Sequence, residues 1–475
     1  MRTPHRVAAI LVACTVIASA CTRSDSDVEE SEEPAADEAA EQAGDGGDGD
    51  DGGGADDAGG SLLDQGGFGE LENVCGPGEA GGPGGATETG LTPDEIRLGT
   101  ITDKGSTDRS GLNEEMFDTA VAFAAWCNEH GGIQGREVVI DDLDAALFDY
   151  GQRIADACER DFALVGGGGV FDNQGIDQRI QCGLPNIPAF MVTAEAREAE
   201  LQVQPIPNPN EQFQVALYRK FQELDPDATN FGVLWPDIGE GPAAVRAQLV
   251  EAVEQLGYDV VFDEQFRVIG ETGWRGFVQR MRDANVEVFE LIGEPESMVA
   301  LQQAMVTEDW SPQFTSLQPN FFDNRYEAEG ASSVSDATYI RTPFPTLDMA
   351  DEVPAMGDFL ELMERYNPDG KVALLGAQTM SAFLLFATAA NRCGANLSRT
   401  CVIEEAAATT DWTAGGLHSP HQPGNTEATQ CSVLVKVTSD GFQYDEELTQ
   451  PNDGIYNCDP DDVVRLSGSA TQPEG

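Results

Sequence analysis

From residue 95 onward the apolar positions alternate between two periods. Ile96, Leu98, Thr100 and Ile101 mark a strand over 96–101. Met116, Phe117, Ala120, Val121, Phe123, Ala124 and Cys127 then recur at helical spacing over 113–130, and Gly131 and Gly132 end the run. The same reading predicts strands at 138–140, 162–165 and 188–192, with helices over 149–161 and from the glycines at 166–169 through Arg179. A second set starts near Asn208. It has helices at 211–224, 241–256, 274–284 and 297–308, and strands at 231–235, 258–262, 286–292 and 313–316. A helix over 378–391 and a strand over 432–437 follow. Repeated strand–helix units with continuously apolar strands predict an α/β chain whose parallel sheets are covered by helices on both faces.

Between the two sets lies a proline-rich stretch without periodicity, 204–210, which reads as a crossing between two lobes. Further crossings are predicted near 337–345, where a strand runs into Pro343 and Pro345, and at 431–437. The lobes then comprise 75–207 with 341–430, and 208–340 with 431–465, followed by a tail at 466–475.

The N-terminus adds a compartment. Arg2, His5 and Arg6 precede 14 largely apolar residues, 7–20, which fits a signal-peptide core and falls short of the roughly 20 residues that span a bilayer. Ala18, Ser19 and Ala20 lead into Cys21, which resembles a bacterial lipobox in which the Cys21 thiol is acylated; the alternative is ordinary secretion after Ala20. Residues 22–60 hold 15 acids and a single base, Arg23, among many Gly and Ala. Such a stretch buries too little apolar surface to offset its conformational entropy, so 21–74 is expected to be a disordered acidic tether.

The net charge is −58; removing residues 1–60 takes 15 acids and three bases and still leaves 69 against 23, or −46. A body this acidic repels phosphate backbones, which excludes nucleic acid as a partner. Enzymatic function lacks a carrier: the chain has no GxSxG, HExxH or GxxxxGK[ST] motif and four histidines. His418 and His421 have a spacing a metal could use, but no third ligand accompanies them, so neither metal nor cofactor is expected.

The opening Leu91-Thr92-Pro93-Asp94-Glu95-Ile96-Arg97-Leu98-Gly99, the segment Gly111-Leu112-Asn113-Glu114-Glu115-Met116 and above all Asn128-Glu129-His130-Gly131-Gly132-Ile133-Gln134-Gly135-Arg136 resemble type 1 periplasmic binding proteins of the leucine/isoleucine/valine type. The cysteines resemble a lipoprotein subgroup of high-GC Gram-positive bacteria. The resemblance implies a two-lobed Venus-flytrap: an extracytoplasmic, membrane-anchored monomer that captures a small polar solute, amino-acid-like or an amide, and passes it to an ABC permease. A receptor of the same fold that signals without transport is the alternative.

In that family ligand sits between the lobes at the carboxyl ends of the strands, as open α/β sheets favour. The residues expected there are Thr102 and Asp103; Gly168, Gly169, Val170, Phe171 and Asp172; Thr193 and Ala194; Trp235 and Asp237; Glu294; Gln318 and Asn320; and Gln378. Several have a plainer reading: the glycines as a turn, Trp235 as core, Thr193 as a helix cap. Where the amino-acid binders supply a Ser or Thr hydroxyl this chain has Val170 and Phe171, and where they place an acid for the ammonium it has Gln318. Tight binding of branched-chain amino acids is therefore not expected. A neutral amide or polyol is, or a cationic amine if Glu294 and Asp237 both face the cleft. Eight cysteines remain after Cys14 and Cys21, and the predicted elements suggest Cys75–Cys127, Cys158–Cys182, Cys393–Cys401 and Cys431–Cys458.

Overall fold

Parallel strands separated by helices form two sheets. The computed structural model describes residues 61–78, 88–107, 109–323, 326 and 337–467, all within the compact unit Gly59–Gly475. The first lobe runs β1 (Glu95–Thr102), α1 (Glu114–Glu129), β2 (Glu137–Asp144), α2 (Tyr150–Arg160), β3 (Ala163–Val165), α3 (Ile176–Gln181), β4 (Asn186–Ile187) and α4 (Ala194–Arg197). Its sheet is wholly parallel, in the order β2-β1-β3-β4.

The second lobe begins with β5 (Gln212–Gln214) and α5 (Ala216–Leu224) and continues β6 (Asn230–Pro236), α6 (Gly241–Gln255), β7 (Asp259–Phe266), α7 (Trp274–Asp283), β8 (Val288–Leu291), α8 (Pro295–Glu308), β9 (Phe314–Leu317) and β10 (Thr338–Thr342). The chain then returns to the first lobe for α9 (Pro354–Tyr366), α10 (Leu374–Cys393) and α11 (Arg399–Ala407). It ends with β11 (Cys431–Thr438), β12 (Gly441–Tyr444), α12 (Glu446–Thr449), β13 (Asn457–Cys458) and β14 (Val463–Arg465). The large sheet is ordered β12-β11-β10-β9-β8-β6-β7. It is parallel from β7 to β10 and antiparallel at β11 and β12, so the expected all-parallel second sheet acquires an antiparallel edge. A tight hairpin, with Gly441 at φ +104°, makes that edge possible.

Helix α1 buries Met116, Ala120, Phe123, Trp126 and Cys127 at spacings of three and four, against α9 and α10. Helix α10 is buried almost all round, which suits a core helix rather than a surface one. The opposite face of the first sheet is covered by α2 through Tyr150, Ile154 and Ala157. All four expected disulfides form: Cys75–Cys127, Cys158–Cys182, Cys393–Cys401 and Cys431–Cys458.

Several boundaries differ from expectation. The strand expected at 188–192 does not form: β4 covers Asn186–Ile187, and beyond it the Ala189 N–H alone continues toward the Gly167 carbonyl at 2.9 Å. The first residues of the helix expected at 211–224 instead form β5, which pairs with β14. The tether was expected to reach residue 74, yet Leu63, Phe68 and Val74 are buried in the main core. Trp126 Nε1 donates to the Leu63 carbonyl at 3.0 Å, and Asn391 Nδ2 to that of Val74 at 2.9 Å. Leu466, assigned to the tail, is buried with the second-lobe core. Cys21 and residues 1–60 lie outside the described residues.

Candidate functional site

The carboxyl ends of both sheets face a cavity of about 710 Å³. Its first-lobe wall comes from loops after the strands: Leu112, Leu147, Val170 and the run 189–192. Its second-lobe wall follows β6 (Pro236, Ile238), β7 (Phe266, Val268), β8 (Ile292 to Glu294) and β9 (Gln318 to Asn320). Ile206 and Pro207 of the first crossing, Arg341 and Pro343 of the second, and Leu375 and Gln378 of α10 complete it. Most of these side chains are hydrocarbon. The volume lies within the roughly 300–1,000 Å³ that accommodates a drug-sized molecule, well beyond the needs of one free amino acid.

The lobes touch at the rim. Arg109, in the loop after β1, pairs with Glu294 at 2.8 Å and Glu296 at 2.6 Å, both at the start of α8 in the other lobe. Gly241, first residue of α6, lies against Val192 so closely that an added Cβ would come within 2.4 Å of it. Deeper between the lobes, Arg197 of α4 donates to the Gln248 side chain of α6.

The polar part of the cavity is built on strands of the second lobe. Tyr218 of α5 donates to Glu290 of β8, and Ser316 and Gln318 support the same carboxyl. Burial pushes Glu290 above the usual carboxylate range despite these donors. Arg341 of β10 lies nearby; burial lowers its pKa, and Tyr218, Glu290 and Asp462 act against that. Among the described residues, the half-buried Arg341 guanidinium makes neither a hydrogen bond nor an ion pair, while its backbone pairs in the β10–β11 ladder. From the first-lobe side, Gln378 presents a buried Oε1 that has no partner.

Of the fifteen residues expected at the site, Val170, Glu294, Gln318, Asn320 and Gln378 line this cavity. The others stand behind it. Asp103 accepts from the backbone N–H of Leu147 and of Val170, both at 2.9 Å, tying three loops together. Burial raises its pKa, and these two donors oppose the shift. Thr102 is buried at the end of β1, and Gly168 and Gly169 pack against the rings of Phe190 and Tyr150. Asp172 accepts from the Thr193 hydroxyl at 2.6 Å and the Thr193 N–H at 3.1 Å, while Thr193 caps α4, in which Ala194 is the first residue. Burial pushes Asp172 up to about 6. Phe171 packs against Phe148 in a tilted ring contact at 5.5 Å, and Trp235 donates to Asp263 at 2.9 Å. Asp237 is exposed and accepts from the Val268 N–H. The condition set for an amine ligand is thus unmet, since Asp237 faces away and Glu294 is paired with Arg109.

Tyr218, Glu290, Arg341 and Arg109 were absent from the sequence-based set. A usable signal existed: Glu290 and Arg341 are charges inside otherwise apolar strands, where an ionisable side chain is rare without a task. His418 and His421 are buried away from any group of three metal-binding side chains among the described residues. The His418 ring lies between the Ser381 hydroxyl at 2.8 Å and the Ser419 carbonyl at 2.7 Å, and burial lowers its pKa to about 4.

A family model described as "Periplasmic binding protein" matches residues 203–442. Comparison with curated proteins gives no match. Among solved structures, a fatty acid ABC transporter substrate-binding protein from Thermomonospora curvata superposes with a TM-score of 0.65 at 16% identity, covering 78% of this chain and 97% of its own. A leucine-binding protein from Thermotoga maritima gives 0.60 at 14% identity, covering 74% and 97%. A branched-chain amino acid transporter substrate-binding protein from Streptococcus pneumoniae, in complex with isoleucine, gives 0.59 at 15% identity, covering 74% and 99%.

Proposed function

The chain belongs to the periplasmic binding protein family, a family of extracytoplasmic, non-enzymatic solute-binding proteins of ABC transporter type, and from that premise we propose that it captures its solute in the cavity between the lobes and hands it to a membrane permease. One observation carries this reading: the cavity is closed on both sides by strand-end loops of opposite lobes, with the Arg109 pairs across its rim. Three connections join the lobes, so motion between them is a hinge in which few backbone dihedrals change while each lobe keeps its core. The first runs through 203–211. The others fall just beyond β10 and before β11, since those strands belong to the second sheet themselves.

Opening and closing are measurable by small-angle scattering. Saturating solute should contract the radius of gyration. Arg109→Ala, which removes both rim pairs, should expand the solute-free protein and weaken solute binding by about 5-fold, the low end of a typical coupling between a conformational equilibrium and a ligand. Identical radii with and without solute would refute capture by closure. A strain lacking the gene separates the two fates of a captured solute: loss of labelled-solute uptake marks transport, and undiminished uptake marks sensing.

Cys21 supports a second element of the proposal, a lipid anchor on the outer face of the cytoplasmic membrane. The small residues before it and the acidic stretch after it suit a tethered protein. Cys21→Ala should move the protein from the membrane to the soluble fraction; membrane retention equal to wild type would remove the anchor.

A further inference from the structure

The polar groups of the cavity are unequally satisfied. Glu290 already receives Tyr218, Ser316 and Gln318. Arg341, by contrast, carries five N–H donors into the cavity wall and, among the described residues, spends none of them. A guanidinium taken out of bulk water without a partner is costly, and the cost is recovered when a bidentate acceptor arrives. Glu290 and Asp462 are the carboxyls near enough to act on Arg341, and neither hydrogen-bonds its guanidinium: Glu290 is occupied by Tyr218, Ser316 and Gln318. Away from this spot the walls are mostly apolar, with Leu112, Leu147, Phe190, Val192, Phe213 and Ile292, and the charged Arg109, Glu294, Glu296 and Arg197 are already paired.

Resting on the solute-binding reading above, we propose that Arg341 is the anchor for the carboxylate of an amphipathic acid whose apolar body fills the rest of the cavity. The volume suits a body much larger than an amino-acid side chain. Glu290 is held on the Tyr218, Ser316 and Gln318 side of the cavity wall, which leaves the Arg341 donors to the ligand carboxylate. Gln378 lines the same cavity from α10, and its amide N–H, not the buried Oε1 that lacks a partner, is the end that a carboxylate takes. The site therefore selects one negative charge and a hydrocarbon body, and it has no free anion for an ammonium.

Calorimetric titration with decanoate, decylamine, decanol and leucine tests this assignment. Wild type should bind decanoate well, decanol weakly, and decylamine and leucine not measurably. Arg341→Gln should weaken decanoate by about 10- to 100-fold, the range expected for losing a charge-assisted pair, and leave decanol unchanged. Arg341→Lys should recover part of the loss. Glu290→Gln should leave decanoate binding intact or tighten it. Thermal melting of each variant separates misfolding from lost recognition; Arg341→Gln should melt no lower than wild type, because it removes an unpartnered charge. Equal decanoate affinity in wild type and Arg341→Gln would overturn the assignment, as would preference for decylamine or leucine. If decanoate fails while another solute contracts the radius of gyration, the carboxylate anchor falls and solute capture stands. If no solute contracts it, both fall.

Discussion

Asp161→Asn should stabilise the protein at pH 7.5 by about 2–4 kcal/mol and leave it nearly unchanged at pH 4. Asp161 is fully buried at the C-terminal end of α2, and neither carboxyl oxygen receives a hydrogen bond from an N–H or a hydroxyl. Burial pushes its pKa up to about 8, and the adjacent Asp141 carboxyl adds to the shift; Arg160 and Arg97 only partly oppose it. The two carboxyls lie close enough to share a proton. The sign follows from the direction of the shift. A carboxyl whose folded pKa is raised contributes stability that is complete below its unfolded pKa near 4, and that stability is lost as pH rises through 8. An asparagine amide keeps a donor toward Asp141 at every pH, so the variant lacks this loss. Urea denaturation of both proteins across pH 4 to 8 reads the difference directly. The buried histidines, which favour unfolding at low pH, act equally in both and cancel. A difference that does not grow with pH would show that Asp161 is not protonated in the folded protein.

Lys371→Met should cost about 3–5 kcal/mol at neutral pH, the range for removing one partner of a buried ion pair. Lys371 Nζ lies 3.0 Å from Glu115 and 2.8 Å from Asp323, and all three side chains are largely buried. Burial lowers the lysine pKa, but the two carboxylates outweigh it and hold the ammonium above its ordinary value. Burial also raises Glu115, with Lys371 opposing. Without the ammonium, Glu115 keeps its desolvation and loses its largest compensation. The penalty should therefore be greatest above pH 7 and shrink toward pH 4, where Glu115 is protonated. The triad joins α1, the segment entering α10 and the loop after β9, so lost stability should appear as easier unfolding of the α1–α10 contact. Hydrogen exchange of α1 amides would register it; an unchanged urea midpoint would show that the ion triad contributes little.

The architecture was readable because its signals are periodic and local. Apolar strands between helical stripes specified both sheets, and the predicted elements placed each cysteine beside its partner. The antiparallel edge was harder, since β11 and β12 differ from parallel strands in pairing and not in composition. Residues 61–74 were hidden by their glycines and acids, although Leu63, Phe68 and Val74 mark where apolar residues resume. The site was only partly readable. Strand ends point to the cleft, but period alone does not say which side chain turns inward. Asp103 and Asp172 sit in the expected loops and spend their oxygens on neighbouring backbone N–H groups. Arg341 and Glu290 occupy strand interiors, where a search along loops does not look.

Helix α10 has a second identity outside the folded protein. The stretch Leu374–Asn396 is long and apolar enough, by length and composition, to cross a bilayer, with a mean hydropathy of 1.2; in the fold it is core. A binding protein that works beyond the membrane is threaded through an export channel before that core exists. At that moment this stretch most resembles a stop-transfer signal. Its polar residues hold it near the margin: Gln378, Thr379 and Ser381 raise the cost of sliding sideways into lipid. Those same residues later face the cavity, donate to the Gly166 carbonyl at 2.7 Å and contact His418. Replacing them with leucine would trade a few hydrogen bonds for a chain arrested partway across the membrane.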